Sequence, residues 1–131
     1  NYFSPEAVRL MTDQLVSVAQ RADVIRLDMA HLALKDVFRQ TWDGIYQKGG
    51  FHRPSREFWD VAIEEVKSRY PDTIFVSEAH DHGLTDPPEH ELLRNLGVDY
   101  SYDLNKITLD GGQDSLGRPE DFIPRQRVAK I

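Results

Sequence analysis

Apolar residues recur every three or four positions through Val8, Met11, Leu15 and Val18, the spacing that lays a single stripe along an α-helix. Just before them, Ser4 is placed to cap, Pro5 to take the first helical position with its fixed φ, and Glu6 to face the positive end of the helix dipole. A helix from Pro5 to about Arg21 is therefore expected. From Ala22 to Asp28 the period shortens to two. Alternation puts Val24, Arg26 and Asp28 on one face of a strand and Asp23, Ile25 and Leu27 on the other. Aliphatics stand on both sides, which predicts a strand covered on both faces.

The same reading continues down the chain. A helix-like run from His31 to about Thr41 carries Leu32, Leu34, Val37 and Phe38, and Trp42 to Pro54 reads as loop, broken at Asp43-Gly44 and Gly49-Gly50. Ser55 is placed to cap a second long helix, with Phe58, Trp59, Ala62, Ile63, Val66 and Tyr70 as its buried face and Pro71 forcing its end. Thr73 to Glu78 is a second strand with apolar residues on both faces. After an irregular loop from Ala79 to Pro88, a short helix from about Glu89 to Leu96 stops at Gly97, and Val98 to Asp103 alternates as a third strand. Glycine, proline and charge dominate from Asp110 onward, so Gly111 to Glu120 reads as loop or tail. Helix and strand in alternation imply an α/β fold of about three parallel strands, joined by right-handed crossovers and flanked by helices.

Composition narrows the function classes. The chain has 131 residues, room for one domain with a sizeable core, and 40% of them are hydrophobic. With 22 acidic against 16 basic residues and no basic run, neither nucleic acid nor an anionic membrane is the expected partner. No apolar run approaches the ~18 residues of a membrane span. The absence of cysteine excludes disulfides and cysteine-ligated zinc. A chain opening on Asn-Tyr-Phe rather than Met is expected to be a processed product or a piece of something longer.

The candidate chemistry lies at the strand ends. Arg26 and Asp28 share a face at the C-terminal end of a strand, where parallel α/β proteins gather their sites. The pair reads either as part of such a site or as a buried ion pair that only fixes register. Glu78 and Asp103 end the other two strands. If Asp28 and Glu78 end adjacent strands and face the same way, their carboxyl groups can approach the ~5–5.5 Å used by retaining glycosidases. Arg26 would hold Asp28 ionised to attack. Glu78 follows an apolar strand with no basic neighbour in sequence, surroundings that suit a proton donor. His80-Asp81-His82 is a possible metal pair, although His-x-His in a loop is a common pattern and no metal is assigned.

Four stretches together resemble the alpha-amylase family of glycoside hydrolases. Ala22-Asp23-Val24-Ile25-Arg26-Leu27-Asp28, followed by Met29-Ala30-His31, is similar to the family's fourth-strand motif around Arg-x-Asp. Ile74-Phe75-Val76-Ser77-Glu78-Ala79 resembles its fifth strand, Asn1-Tyr2-Phe3-Ser4-Pro5-Glu6 the opening of the helix before the fourth strand, and Val98-Asp99-Tyr100-Ser101-Tyr102-Asp103 the sixth strand. The resemblance covers roughly residues 1 to 105 in the right order and implies part of a (β/α)8 TIM-barrel, about strands four to six. It implies Asp28 as nucleophile, Glu78 as general acid/base and Arg26 as the ionic partner on the substrate side. His31 falls where the family often has a substrate-contacting group, and His80 lies in a loop that lines sugar subsites. Trp42 and Phe51, beside glycines, would be exposed rings able to stack on sugar, whereas Trp59 on a helix face belongs to the core.

The departures are as specific. Leu32 stands where the family commonly has histidine, Ser77 where glycine usually precedes the glutamate, and the Asn-His-Asp of the seventh strand is absent. The resemblance therefore implies an internal barrel piece, inactive by itself, of a parent enzyme acting on an oligosaccharide or alpha-glucan. No cofactor is assigned; calcium in the parent has no support from these residues. The rival reading is a non-catalytic amylase-like or independent α/β binding module. Exposed edges of a three-strand slice lead one to expect self-association of the chain taken alone.

Overall fold

Ser4 opens the first helix as its side chain predicts, its Oγ accepting the Ala7 N–H at 3.4 Å. The computed structural model describes residues 1–102. Helix α1 runs Pro5–Ala19, strand β1 Val24–Leu27, and a 3₁₀ turn Ala30–Ala33 leads into α2, Lys35–Lys48. Then come α3, Phe58–Arg69, β2, Ile74–Glu78, α4, Glu89–Asn95, and β3, Tyr100–Tyr102. Asp103, expected to end the third strand, lies outside the described residues, as does the expected loop from Gly111 to Glu120.

Several local expectations need correction. The inner side of α1 passes through Thr12 and Ala19, with Val8, Leu15 and Val16 packed on the core, while Met11 is 45% exposed. Of the expected stripe Val8, Leu15 and Val18 do pack on the core, and only Met11 stays out. Helix α2 continues to Lys48 where loop was expected from Trp42; the backbone does leave helical values at Trp42 (φ −125°, ψ 25°), so a kink stands in place of a stop. Glu57, not Ser55, precedes α3, and its carboxylate reaches sideways to accept the Lys35 N–H at 2.9 Å, tying the start of α2 to that of α3. At the far end of the fold Gly97, at φ 103°, closes α4, with Ile63 Cγ2 3.1 Å from where a β-carbon would stand.

The three strands form one parallel sheet in the order β1-β2-β3. Val24 pairs with Ile74 and Arg26 with Val76, while Val76 pairs with Tyr100 and Glu78 with Tyr102. On one face Ile25, Leu27 and Phe75 join Ala19, Phe58, Trp59, Ala62, Ile63, Val66, Leu93 and Val98 in a single core. The other face is open among the described residues: Val24 is 55% exposed and Ile74 39%. Among the described residues, the expectation of strands covered on both faces is met on one face only. Sequential strand order explains why, since successive right-handed crossovers stepping the same way along a sheet all leave their helices on one side. That is the winding of a parallel barrel, whose inner face is filled by its own side chains.

Candidate active site

The site forms where β1 ends on the open face. Leu27, 4% exposed, fixes the pleat, so Arg26 and Asp28 project away from the core. Immediately afterwards Met29 adopts a left-handed conformation (φ 47°, ψ 43°), rare for a residue with a side chain. The Trp59 indole N–H donates to the Ala30 carbonyl at 2.7 Å, holding the sharp turn from beneath. Trp59 therefore belongs to the core, as its place on the helix face predicts, and it also sets the path of the chain leaving Asp28.

Arg26 organises everything else at this rim. Its Nη1 lies 2.6 Å from Asp28 Oδ1, its Nη2 donates to Glu78 Oε2 at 2.8 Å, and its Nε donates to the Tyr102 hydroxyl at 2.7 Å. One planar fork thus joins the ends of all three strands. Asp28, directly after β1, and Glu78, the last residue of β2, both meet the Arg26 guanidinium on the open face. The bond to Tyr102, and after it that to Asp28, pushes the guanidinium even further up from its already high value, so it stays charged. Glu78 is not remote from basic groups, in contrast to what its sequence neighbours suggest. What separates the two carboxylates is burial: the side chain of Asp28 is 69% exposed and that of Glu78 only 6%.

The loop after β2 supplies the neighbours of Glu78. His80 Nε2 lies 3.9 Å from Glu78 Oε1, beyond hydrogen-bond range but facing the oxygen that Arg26 does not use. His31 has no exposed surface; its Nδ1 receives the His80 backbone N–H at 3.4 Å, and its ring packs 5.2 Å from that of His80 and 5.4 Å from that of His82. A sugar contact by His31 therefore finds no support in this placement, because no part of the side chain opens to a ligand. Asp81 accepts the His90 N–H at 3.2 Å and lies 2.5 Å from His90 Nδ1, anchoring the loop to α4. Among the described residues no three His, Cys, Asp or Glu side chains converge as a metal site requires. Of the two rings proposed to stack on sugar, Phe51 is 38% exposed, whereas Trp42 packs against Phe38 at 4.9 Å.

Burial, and then the neighbouring His80 and His82, push the His31 pKa down from 6.5, with Glu89 opposing. Below pH 6.5 the unfolded chain then binds more protons than the folded one, so this contribution to stability is complete above that value and is lost as pH falls toward the lower folded pKa. Melting temperatures measured from pH 7.5 to 5 are expected to decline, on the order of the few degrees that 1 kcal/mol produces. His31→Gln should flatten that slope. An unchanged slope in the variant would assign the decline to other groups.

Tyr102 and Met29 escaped the sequence reading. The alternation of β3 does put Tyr100 and Tyr102 on one face, but nothing local indicates that this face meets Arg26, which is 76 residues away.

A three-stranded parallel α/β chain with paired carboxylates and an arginine at the strand ends defines the class structurally. Among known proteins, the chain is similar to the alpha-1,4-glucan:maltose-1-phosphate maltosyltransferase of Rhodospirillum rubrum, at 35% identity over 74 residues. The match takes in 54% of this chain and 10% of that enzyme, so it spans about a tenth of the relative's length. No protein-family model and no solved structure matches the chain. The likeness is to an enzyme of α-glucan metabolism. No described helix is long and apolar enough to cross a membrane.

Proposed function

We propose that this chain forms the central catalytic strands of an alpha-amylase-type retaining enzyme acting on α-linked glucans, by hydrolysis or by glycosyl transfer. In this reading the Asp28 carboxylate attacks the anomeric carbon as the glycosidic C–O bond breaks, and Glu78 gives its proton to the leaving oxygen. Glu78, now ionised, takes a proton from water or an acceptor hydroxyl, whose oxygen displaces Asp28 and restores both carboxyl groups. Exposure suits the first of these parts: the nucleophile must reach a sugar, and the Asp28 side chain is 69% exposed. Arg26 and His80 border the reacting centre. The observation that carries the reading is the single guanidinium in contact with both Asp28 and Glu78. The maltosyltransferase likeness supports the choice of α-glucan.

Trapping tests it directly. The full-length protein, incubated with an activated fluoro-sugar of α-glucosyl configuration, is expected to gain one glycosyl mass on the peptide that contains Asp28. A protein that binds α-glucan but is never labelled would instead be a non-catalytic binding module.

A further inference from the structure

Arginine and carboxylate groups ordinarily meet two bonds to two oxygens, with both donors on one edge of the fork engaging one acceptor group. The rim described above departs from that pattern. Each carboxylate receives only one nitrogen of Arg26, and the third, Nε, is taken by an uncharged hydroxyl. The Arg26 side chain is 54% exposed, so packing alone does not hold it in this split arrangement. Glu78 and Tyr102 are register partners on β2 and β3, and so they approach the same edge of the guanidinium side by side.

We infer that Tyr102 is a positioning residue: by occupying Nε it denies Glu78 a two-bond grip on Arg26 and keeps the remaining nitrogens divided between Asp28 and Glu78. Without the hydroxyl, Nε and Nη2 together offer Glu78 the usual double contact, and turning the fork into it draws Nη1 from Asp28. Tyr102 suits the task because it is neutral and stands on a strand. Its bond to Arg26 needs no change of charge as Asp28 and Glu78 exchange theirs during a reaction, and the ring flanks the guanidinium at 6.0 Å. Its consequence for turnover rests on the function proposed above; its hold on Arg26 does not.

The test compares Tyr102→Phe, Arg26→Lys and the double variant in the full-length protein. Loss of the hydroxyl is expected to lower kcat on α-glucan by about tenfold with KM changed less than about twofold, since Tyr102 acts on the arginine and not on the sugar. In the Arg26→Lys background, which has no Nε, the same substitution should lower kcat by less than about twofold. Equal losses in both backgrounds, or a change confined to KM, would overturn the inference. A second readout needs neither activity nor a folded variant. With isotope-labelled arginine, the Arg26 Nε–H resonance of the wild-type protein should be sharp and slow to exchange, and a fast-exchanging signal would remove the bond. If the wild-type protein neither turns over α-glucan nor is labelled by the fluoro-sugar, the proposed function falls, and this resonance decides the positioning of Arg26 by itself.

Discussion

Asp28→Asn is expected to reduce turnover of α-glucan by the full-length protein on the order of 10⁴-fold, the scale on which enzymes lose rate when a covalent nucleophile is removed. The amide oxygen of asparagine is a poor nucleophile and cannot form the glycosyl ester. Stability should hardly respond. The Arg26 to Asp28 ion pair joins side chains that are 54% and 69% exposed, and solvent screens such surface pairs so that they add little to stability. Arg26 also keeps its bonds to Glu78 and Tyr102 in the variant. Steady-state rates and melting temperatures measured together will separate these effects. Near-normal turnover would remove Asp28 from the chemistry, and loss of rate with loss of fold would make the pair structural.

Glu78→Gln should behave differently in two respects. Glutamine cannot donate the proton that a sugar leaving group needs, so kcat on glucan is expected to fall by about 10²–10⁴-fold. A fluoride leaving group needs little protonation, however, and the variant should still label Asp28 with the activated fluoro-sugar. The Asp28→Asn protein should not label at all. This contrast distinguishes a nucleophile from an acid, which rates alone do not. Glu78 is 5% exposed and bonded to Arg26, so replacing its carboxyl group with an amide should also cost about 1–3 kcal/mol of stability, read by urea denaturation. Labelling of the Asp28→Asn protein, or failure of a folded Glu78→Gln protein to label, would reverse or abolish the assignment of roles.

Much of the architecture could be read from local chemistry. Ser4 and Pro5 begin α1, Pro71 follows α3 within two residues, and Gly97 ends α4, because caps and breakers act through the backbone of their own neighbourhood. The limits of α2 were less legible. Gly44 lowers helix propensity, yet helix continues to Lys48, since a weak local preference does not decide where a helix ends. The start of α3 also departed from the simple rule. Ser55 has the usual capping side chain, but the residue before the helix is Glu57, whose carboxylate is engaged by Lys35. At the site, the shared face of Arg26 and Asp28 was legible, and so was the carboxylate closing the second strand. The burial of His31 was not, because it depends on His80 and His82 folding over it from a loop some 50 positions away.

By itself, then, the sequence determined which side chains share a face within each strand, since the pleat alternates strictly and needs no partner to do so. It also determined that the strands are separated by helices and so run parallel. Only the tertiary structure decided that Glu78 and Tyr102 reach Arg26, from 52 and 76 residues away, and that, among the described residues, helices cover one face of the sheet alone. The physical reason is that strand order and register come from pairing between distant segments, and a shift of one residue in either pairing would turn those side chains to the opposite face.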